Sequence, residues 1–216
     1  IITSQKQEIE KLAGAKELLF RELHHRIRSN LQMIYSILSL QSQRLKDPEA
    51  INAIEDNIHR VWAIALVHHK LYRNNKLTQI NMPGYINELI TNILEISNIS
   101  RKNISLQQDI QNIYLEADIA IPLGLIINEL LNHVLKQNYH GISDPELIIT
   151  LTEKNNEALE LRVQGNGKGD LNIIDTTTPD AFGMELVFML TKQLKGKFEN
   201  ANRNGTGFQL TIYNYK

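Results

Sequence analysis

The densest cluster of polar side chains in the chain runs from Glu22 to Leu31 and contains two adjacent histidines, His24 and His25. Consecutive residues on a helix point about 100° apart, so these two imidazoles face different directions. His24 shares a face with apolar neighbours and is expected to pack, whereas His25 is expected to face solvent. An exposed, neutral imidazole on a rigid helix is a plausible nucleophile at pH 7.

The charged residues around His25 fit the same chemistry. Glu22 lies three residues before His25 and can accept a hydrogen bond from one ring nitrogen, which leaves the other nitrogen free to attack. Arg26 and Arg28 could balance the charge of a phosphoryl group. An ordinary solvated helix face explains the same residues more simply, and the cluster alone favours that interpretation.

A second pair, His68 and His69, follows further along the chain. Its first member falls on an apolar face and is expected to be a core residue. No two of the four histidines have the i, i+4 spacing that would place two metal ligands on one helix face, so a metal site is disfavoured.

The apolar spacing predicts the helices that position these residues. A heptad seam, interrupted by Lys16, predicts one helix from about Gln5 to Leu45. Asp47 and Pro48 can then cap and open a second seamed helix that reaches about Tyr72. Two seamed helices joined by a short turn predict an antiparallel hairpin, and two copies of it should pair into a four-helix bundle.

The pattern changes after the polar break from Arg73 to Lys76. Three helices are predicted, beginning near Pro83, Asp118 and Phe182, with short strands between and after them and a hairpin around 155–156. This part should be α+β, with helices covering one face of a mixed sheet. We therefore expect two domains: a leading coiled-coil helix and hairpin over residues 1–75, and a sheet-containing domain over residues 76–216.

Composition excludes several classes of function. The 216 residues include 42% apolar residues, enough for a real core, and carry a formal net charge of −1. A chain this neutral has no global electrostatic reason to bind nucleic acid or an anionic membrane, so neither is expected as a partner. The lack of Cys excludes disulfides and fits a cytoplasmic protein. No apolar run of bilayer-spanning length is expected. Since the chain opens with Ile1, an upstream sensor domain is expected to be missing from it.

Four segments together resemble the dimerisation and phosphoacceptor domain of the HisKA_2 class of sensor histidine kinases. They are Glu22–Gln32, Ile37–Gln41, Asp47–Ala50 and Arg60–His68. In that family the second His of the pair carries the phosphoryl group, and this position corresponds to His25. The resemblance implies a homodimer in two-component signalling that exchanges a phosphoryl group with an Asp of a response-regulator receiver domain. The seam from Ile9 to Leu23 would then be a signal helix.

The remainder resembles a GHKL-type ATPase domain, which implies an α/β sandwich, in agreement with the predicted order of elements. Pro122–Leu131 is similar to its N-box helix, and Phe182–Val187 and Gly205–Phe208 are similar to its later glycine motifs. The resemblance implies ATP and Mg²⁺ as cofactors, with Glu129 and Asn128 as metal ligands. The implied nucleotide-binding residues are Asn128, Glu129, Asn132, Lys136, Asn166, Gly167, Gly169, Gly183, Gly205 and Thr206.

Two departures from that family fall on the chemistry. His133 stands where the N-box presents a metal-binding Asn, and imidazole replaces a hard oxygen ligand poorly on Mg²⁺. Gly165 stands where an Asp accepts a hydrogen bond from adenine, and losing such an acceptor weakens affinity and selectivity. Two explanations remain open. The ATP site is degenerate, or Asn132 or Asn128 supplies the metal-binding oxygen while Asn166 touches adenine.

We expect a histidine kinase or histidine phosphotransferase whose ATP-dependent autophosphorylation is impaired. The alternative from a different class is a non-catalytic pseudokinase dimer that binds or sequesters response regulators. The two differ in what they require of His25. A phosphotransfer protein needs its imidazole, whereas a binding module does not.

Overall fold

The structure is a computed structural model that describes residues 2–73, 79–96, 104–138, 144–154, 157–167, 181–201, 205–213 and 215. Its helices are α1 (Ile2–Ser42), α2 (Pro48–Arg73), α3 (Met82–Ile96), α4 (Ala117–Asn138) and α5 (Ala181–Gln193). Its strands are β1 (Gln79–Asn81), β2 (Ser105–Ile110), β3 (Tyr114–Glu116), β4 (Glu146–Lys154), β5 (Ala158–Gly165), β6 (Gly196–Asn200) and β7 (Gly207–Tyr213).

The two seamed helices form as predicted. Asp47 precedes α2, and its Oδ1 accepts a hydrogen bond of 3.1 Å from the backbone N–H of Glu49. This bond satisfies one of the orphan donors at the start of the helix, with Pro48 at the first helical position. α2 then packs along α1. The short turn between the two helices thereby places the His24–His25 pair beside the far end of α2.

The predicted mixed sheet with helices on one face is confirmed. Its five strands run in the order β2-β4-β5-β7-β6, with β2 parallel to β4 and the remaining neighbours antiparallel. The predicted hairpin is the β4–β5 pair. Strand β3 corresponds to a predicted short strand, whereas β1, which pairs with it in a two-stranded ribbon, is an addition to the predicted elements. Residues 155–156, at the tip of the hairpin, lie outside the described residues.

The core extends through both predicted domains. α4 lies at its centre, where Gly124 packs so closely on α3 that an added Cβ would overlap the Tyr85 hydroxyl. The Tyr85 hydroxyl donates a hydrogen bond of 3.2 Å to the Ala63 carbonyl on α2. Ala63, with Leu66, Val67 and Leu71 of α2, belongs to the same buried cluster as α3 and α4. The hairpin helix α2 is therefore also a layer of the sheet-containing part.

One segment of α4 is more apolar than the sequence analysis expected. Within the described residues, Ala117–Leu135 is the one helical segment long and apolar enough to cross a membrane, with a hydropathy of 1.3. In the structure 67% of it is buried inside the protein. The core around α4 therefore accounts for its apolar character.

Candidate functional site

The two adjacent histidines of α1 face different environments, as helical spacing predicts. His24 is buried, with only 8% of its surface exposed, whereas His25 is exposed. The His24 ring lies 5.9 Å from the Phe20 ring and 5.3 Å from the His68 ring of α2, between centroids. His24 thus anchors the helix immediately before the exposed His25.

A salt bridge lies on the exposed side of the histidine pair. The Arg26 Nε donates a hydrogen bond of 2.6 Å to Glu22 Oε1. This bond and the charge of Arg26 hold the pKa of Glu22 below its usual value, and the charge of His25 lowers it further. Glu22 and His25 therefore lie close enough to interact electrostatically, while the Glu22 carboxylate is bonded to Arg26.

Arg28 lies one helical turn beyond His24 and is half-buried. Together with Tyr35 and Trp62 it lines a cleft of about 450 Å³ between α1 and α2. The two predicted phosphoryl-binding arginines are therefore unequal. Arg26 is largely exposed and paired with an acid, whereas Arg28 belongs to the cleft between the two hairpin helices.

The N-box acid Glu129 is bonded to the hairpin. The Arg60 Nε donates to Glu129 Oε1 at 3.0 Å, and the second guanidinium nitrogen donates to Oε2 at 2.7 Å. The side chains are only 13% and 6% exposed, respectively. The Phe182 ring lies 4.9 Å from the guanidinium carbon, and the Asn128 amide also donates to Glu129 Oε1 at 3.0 Å. This bidentate ion pair joins α2 directly to α4, the helix that resembles the N-box helix of a GHKL-type ATPase domain.

Gly183 is required next to this ion pair. A Cβ at that position would lie 2.8 Å from Glu129 Oε2, which is closer than nonbonded carbon and oxygen atoms approach. The predicted nucleotide-binding glycine at the start of α5 therefore also has a packing reason to lack a side chain.

The other N-box residues also face the hairpin or the sheet. The Asn132 amide nitrogen lies 3.5 Å from Nδ1 of the buried His59 on α2. His133, the residue in the metal-binding position, packs edge-on against Phe208 of β7 with ring centroids 5.5 Å apart. The side chain of Lys136 and the whole of Gly169 lie outside the described residues.

Two predicted glycine motifs meet at the ends of β5 and β7. The Gly165 N–H donates to the Thr206 carbonyl at 2.8 Å, and the Thr206 N–H donates to the Gly167 carbonyl at 3.1 Å. Gly205 has a φ of 150°, and a Cβ there would overlap the Gly165 carbonyl oxygen. Only glycine therefore fits at position 205, and the structure brings Gly165, Gly167, Gly205 and Thr206 together.

Asn166 has a structural contact within this loop. Its Oδ1 accepts a bond of 2.9 Å from the Glu146 N–H, and its Nδ2 donates to the Asp144 carbonyl at 2.7 Å. Both ends of the amide thus hold the start of β4. In this arrangement the Asn166 amide is already bonded, which weakens the open explanation that it touches adenine.

Glu129 and His133 do not fit a magnesium site in this arrangement. Mg²⁺ requires hard oxygen ligands near octahedral geometry. Both carboxylate oxygens of Glu129 accept hydrogen bonds from Arg60, and His133 presents an imidazole. The described residues also hold no group of three or more His, Cys, Asp or Glu side chains that could bind a metal ion.

Two contacts of the site were missed by sequence reasoning. Arg60 belongs to one of the segments that carry the resemblance, yet nothing in its local pattern indicates a partner 69 residues away. His68 was expected to be a core residue, but not to bond to His24, 44 residues away. A polar side chain on an apolar seam is the signal that could have prompted a search for a buried partner.

Comparisons with known proteins agree with the fold. Residues 22–97 match the HisKA_2 family, described as histidine kinase. The chain is 25% identical over 202 residues to the sensor histidine kinase PdtaS of Mycobacterium tuberculosis, a match that covers 92% of this chain and 40% of PdtaS. The chain therefore spans less than half the length of that curated relative.

Solved structures share the architecture. The histidine kinase domain of the blue-light-activated kinase EL346 from Erythrobacter litoralis superposes with a TM-score of 0.65 and 18% identity, covering 92% of this chain and 94% of that one. Full-length ShkA in complex with AMPPNP gives a TM-score of 0.50 and 13% identity, covering 90% of this chain and 45% of that one. The chain has the fold of a histidine kinase domain. Its residues 22–97 match the HisKA_2 histidine kinase family, the family that the sequence resembles.

Proposed function

We propose that this chain carries a phosphoryl group on His25 and exchanges it with an Asp of a response-regulator receiver domain. The observation that carries the proposal is that His25 is exposed on α1 while the residue before it, His24, is fixed by burial. A nucleophile must be accessible to its donor and yet rigidly placed, because in-line phosphoryl transfer depends mostly on positioning. The family match over residues 22–97 and the similarity to named sensor histidine kinases support the same function.

The chemistry needs one ring nitrogen of His25 with a free electron pair. That nitrogen attacks phosphorus, a P–N bond forms, and the P–O bond to the leaving oxygen breaks with its electron pair going to that oxygen. The imidazole then loses its remaining N–H proton to solvent. Transfer onward reverses these steps, with an Asp carboxylate as the attacking group. Arg26 and Arg28 provide positive charge beside the transferred group, and Glu22 holds Arg26 in place.

We propose that ATP-dependent autophosphorylation is impaired in this chain. The glycine cradle of Gly165, Gly205 and Thr206 is formed, and backbone N–H groups of such loops can approach phosphates. Against this, Glu129 is bonded to Arg60, and His133 packs on Phe208. The N-box residues therefore support a nucleotide site weakened in its metal-binding half. The AMPPNP complex of ShkA supports testing the nucleotide directly, since that fold accepts an ATP analogue.

We propose that two copies pair through α1. This helix exposes large apolar side chains on a face next to the one that contacts α2, among them Leu19, Leu23, Ile34 and Ile37. Helical spacing places His25 off this stripe, so pairing leaves it accessible. Burial of such a stripe by a second copy would remove apolar surface from water and complete the predicted four-helix bundle.

The division into domains 1–75 and 76–216 and a cytoplasmic location also remain proposals.

The pseudokinase alternative is favoured by one observation, the Arg60–Glu129 ion pair. If the pair persists in solution, the N-box acid is unavailable for catalysis at the nucleotide site, as a pseudokinase would require. His25 separates the two functions, because a binding module has no use for its imidazole.

The experiment is phosphorylation of the chain by two donors, Mg–ATP and phosphoramidate, in wild type, His25→Gln and His69→Gln. We expect acid-labile label from phosphoramidate in wild type and His69→Gln, none above background in His25→Gln, and much weaker label from Mg–ATP. Light scattering should show that all three variants have the same mass in solution. Equal labelling of His25→Gln and wild type would overturn the phosphotransfer proposal in favour of a binding module.

A further inference from the structure

His24 and His68 form a direct contact between the two hairpin helices. The Nδ1 atoms of the two rings are 3.0 Å apart, a hydrogen-bond distance, and the ring planes are tilted by 40°. Two Nδ1 atoms can approach this closely only if a proton lies between them, because two lone pairs would repel each other. One of the two rings must therefore carry its proton on Nδ1 while the other accepts.

The contact tolerates one shared proton but not two. If both Nδ1 atoms were protonated, two N–H groups and two positive charges would face each other across 3.0 Å. Burial lowers the pKa of His24, and burial together with the charge of His24 lowers the pKa of His68. Acid therefore favours separation of the two rings, since each separated imidazole can take up a proton in water.

The surroundings of the pair are mostly cationic or already paired. On α1, Arg21 is bonded to Glu17, and Arg28 lies one turn beyond His24. On α2, His69 and Lys70 follow His68, and Glu88 of α3 accepts a bond of 2.6 Å from Lys70. The nearby carboxylates are thus bonded to other cations, and this arrangement does not favour a second proton on the pair.

Fixing His24 also fixes the direction of His25. The two residues are consecutive on one helix, so any rotation of α1 that moves the His24 ring away from His68 turns His25 by the same angle. A contact at one side chain therefore sets the orientation of the nucleophile next to it.

We propose that His68 is a positioning residue for phosphoryl transfer at His25, acting through the single proton that it shares with His24. The proposal rests on the proposed function of His25. It makes the hairpin sensitive to acid: the pair holds α1 in register at neutral pH and loosens once acid protonates both rings, which the lowered pKa values place below the ordinary His range. His25 then loses its fixed orientation, in addition to losing reactivity through its own protonation.

The test compares wild type with His68→Asn, since an Asn amide nitrogen can occupy the position of Nδ1 and bond to His24 but does not titrate. His69→Asn is the matched control. Labelling by phosphoramidate is measured from pH 5.5 to 7.5, and each rate is divided by that of His68→Asn at the same pH. This ratio cancels the titration of His25 and of the donor. We expect a wild-type ratio near one at pH 7.5 that falls by up to about tenfold at pH 5.5, one unit below the ordinary His pKa. For the control, we expect the labelling rate of His69→Asn divided by that of wild type to stay constant from pH 5.5 to 7.5.

A second measurement does not depend on activity. Nitrogen-15 NMR of the imidazoles at pH 7.5 should show the proton on Nδ1 in one ring of the pair, although histidines in water favour Nε2. A flat wild-type ratio, or Nε2 protonation of both His24 and His68, would overturn the proposal. If His25→Gln labels normally while the Nδ1 proton is observed, the proposed function fails, but the proton-sharing pair does not.

Discussion

The Arg60 guanidinium of α2 donates hydrogen bonds of 3.0 and 2.7 Å to the two carboxylate oxygens of Glu129 on α4. The pair joins the helical hairpin to the sheet-containing part. The pair is almost fully removed from water, and the Phe182 ring covers the guanidinium. A buried charge destabilises the fold unless it is paired, so removing either residue would leave the other as an unpaired buried charge. The same contact holds the N-box helix against α2 and keeps the N-box acid from other partners.

Breaking this ion pair should destabilise the protein strongly. We expect Arg60→Met to lower the free energy of unfolding by about 3–5 kcal/mol, because Glu129 is left buried without its partner. Urea unfolding at pH 7.5 measures the change. The double variant Arg60→Met with Glu129→Leu should recover most of it, since no buried charge remains.

The exposed pair of Arg21 and Glu17 is the matched control for this prediction. Arg21→Met should change the free energy of unfolding by no more than about 0.5 kcal/mol, because water screens an exposed pair on a helix. Equal losses for Arg60→Met and Arg21→Met would show that this contact between α2 and α4 does not persist in solution.

Two glycines in different surroundings should respond oppositely to alanine. Gly205→Ala places a Cβ onto the Gly165 carbonyl at a φ of 150°, so we expect a loss of about 1–3 kcal/mol in unfolding free energy. Gly14→Ala meets nothing within 4 Å on an exposed part of α1 and should gain up to about 1 kcal/mol. Thermal unfolding of both variants compares them directly. A neutral Gly205→Ala would mean that the two glycine loops do not pack together.

Stability should fall on acidification through the His24–His68 pair. Both pKa values are lowered in the folded protein, so the unfolded chain binds more protons below its ordinary His pKa of about 6.5. The contribution is complete above that pH and is lost as the pH falls toward the folded-state values. The urea midpoint should therefore drop between pH 7.5 and 5.5 in wild type and drop less in His68→Asn. Parallel midpoints in the two proteins would contradict the assignment.

The local elements of this fold could be predicted from the sequence, whereas its long-range contacts could not. The seams and the Asp47–Pro48 signal gave the hairpin helices to within a few residues, because helical periodicity is a property of neighbouring residues. Strand β1 was missed because Gln79–Asn81 is too short to show an alternating pattern, and its pairing is supplied by β3.

The candidate site shows the same division. The period of α1 separated the packed His24 from the exposed His25 correctly, since that distinction needs only helix geometry. The Arg60–Glu129 and His24–His68 contacts join residues 69 and 44 positions apart. They depend on how α2 packs against its neighbours, and no local pattern encodes that packing.

Restoring the two departures from the GHKL pattern should strengthen nucleotide binding. We expect the double variant His133→Asn with Gly165→Asp to bind a Mg–ATP analogue at least tenfold more tightly than wild type, about 1.4 kcal/mol, because a hard metal ligand and a polar acceptor are added. Isothermal titration calorimetry measures both affinities. Tight binding by wild type, unchanged in the double variant, would show that other residues already complete the nucleotide site.

The position of the phosphoryl group tests the central claim most directly. Wild-type protein labelled with phosphoramidate is digested at neutral pH, to preserve P–N bonds, and the labelled peptide is mapped by tandem mass spectrometry. The account predicts that the phosphoryl group is on His25. Label on His24, His68 or His69, or on no histidine of the hairpin, would contradict it.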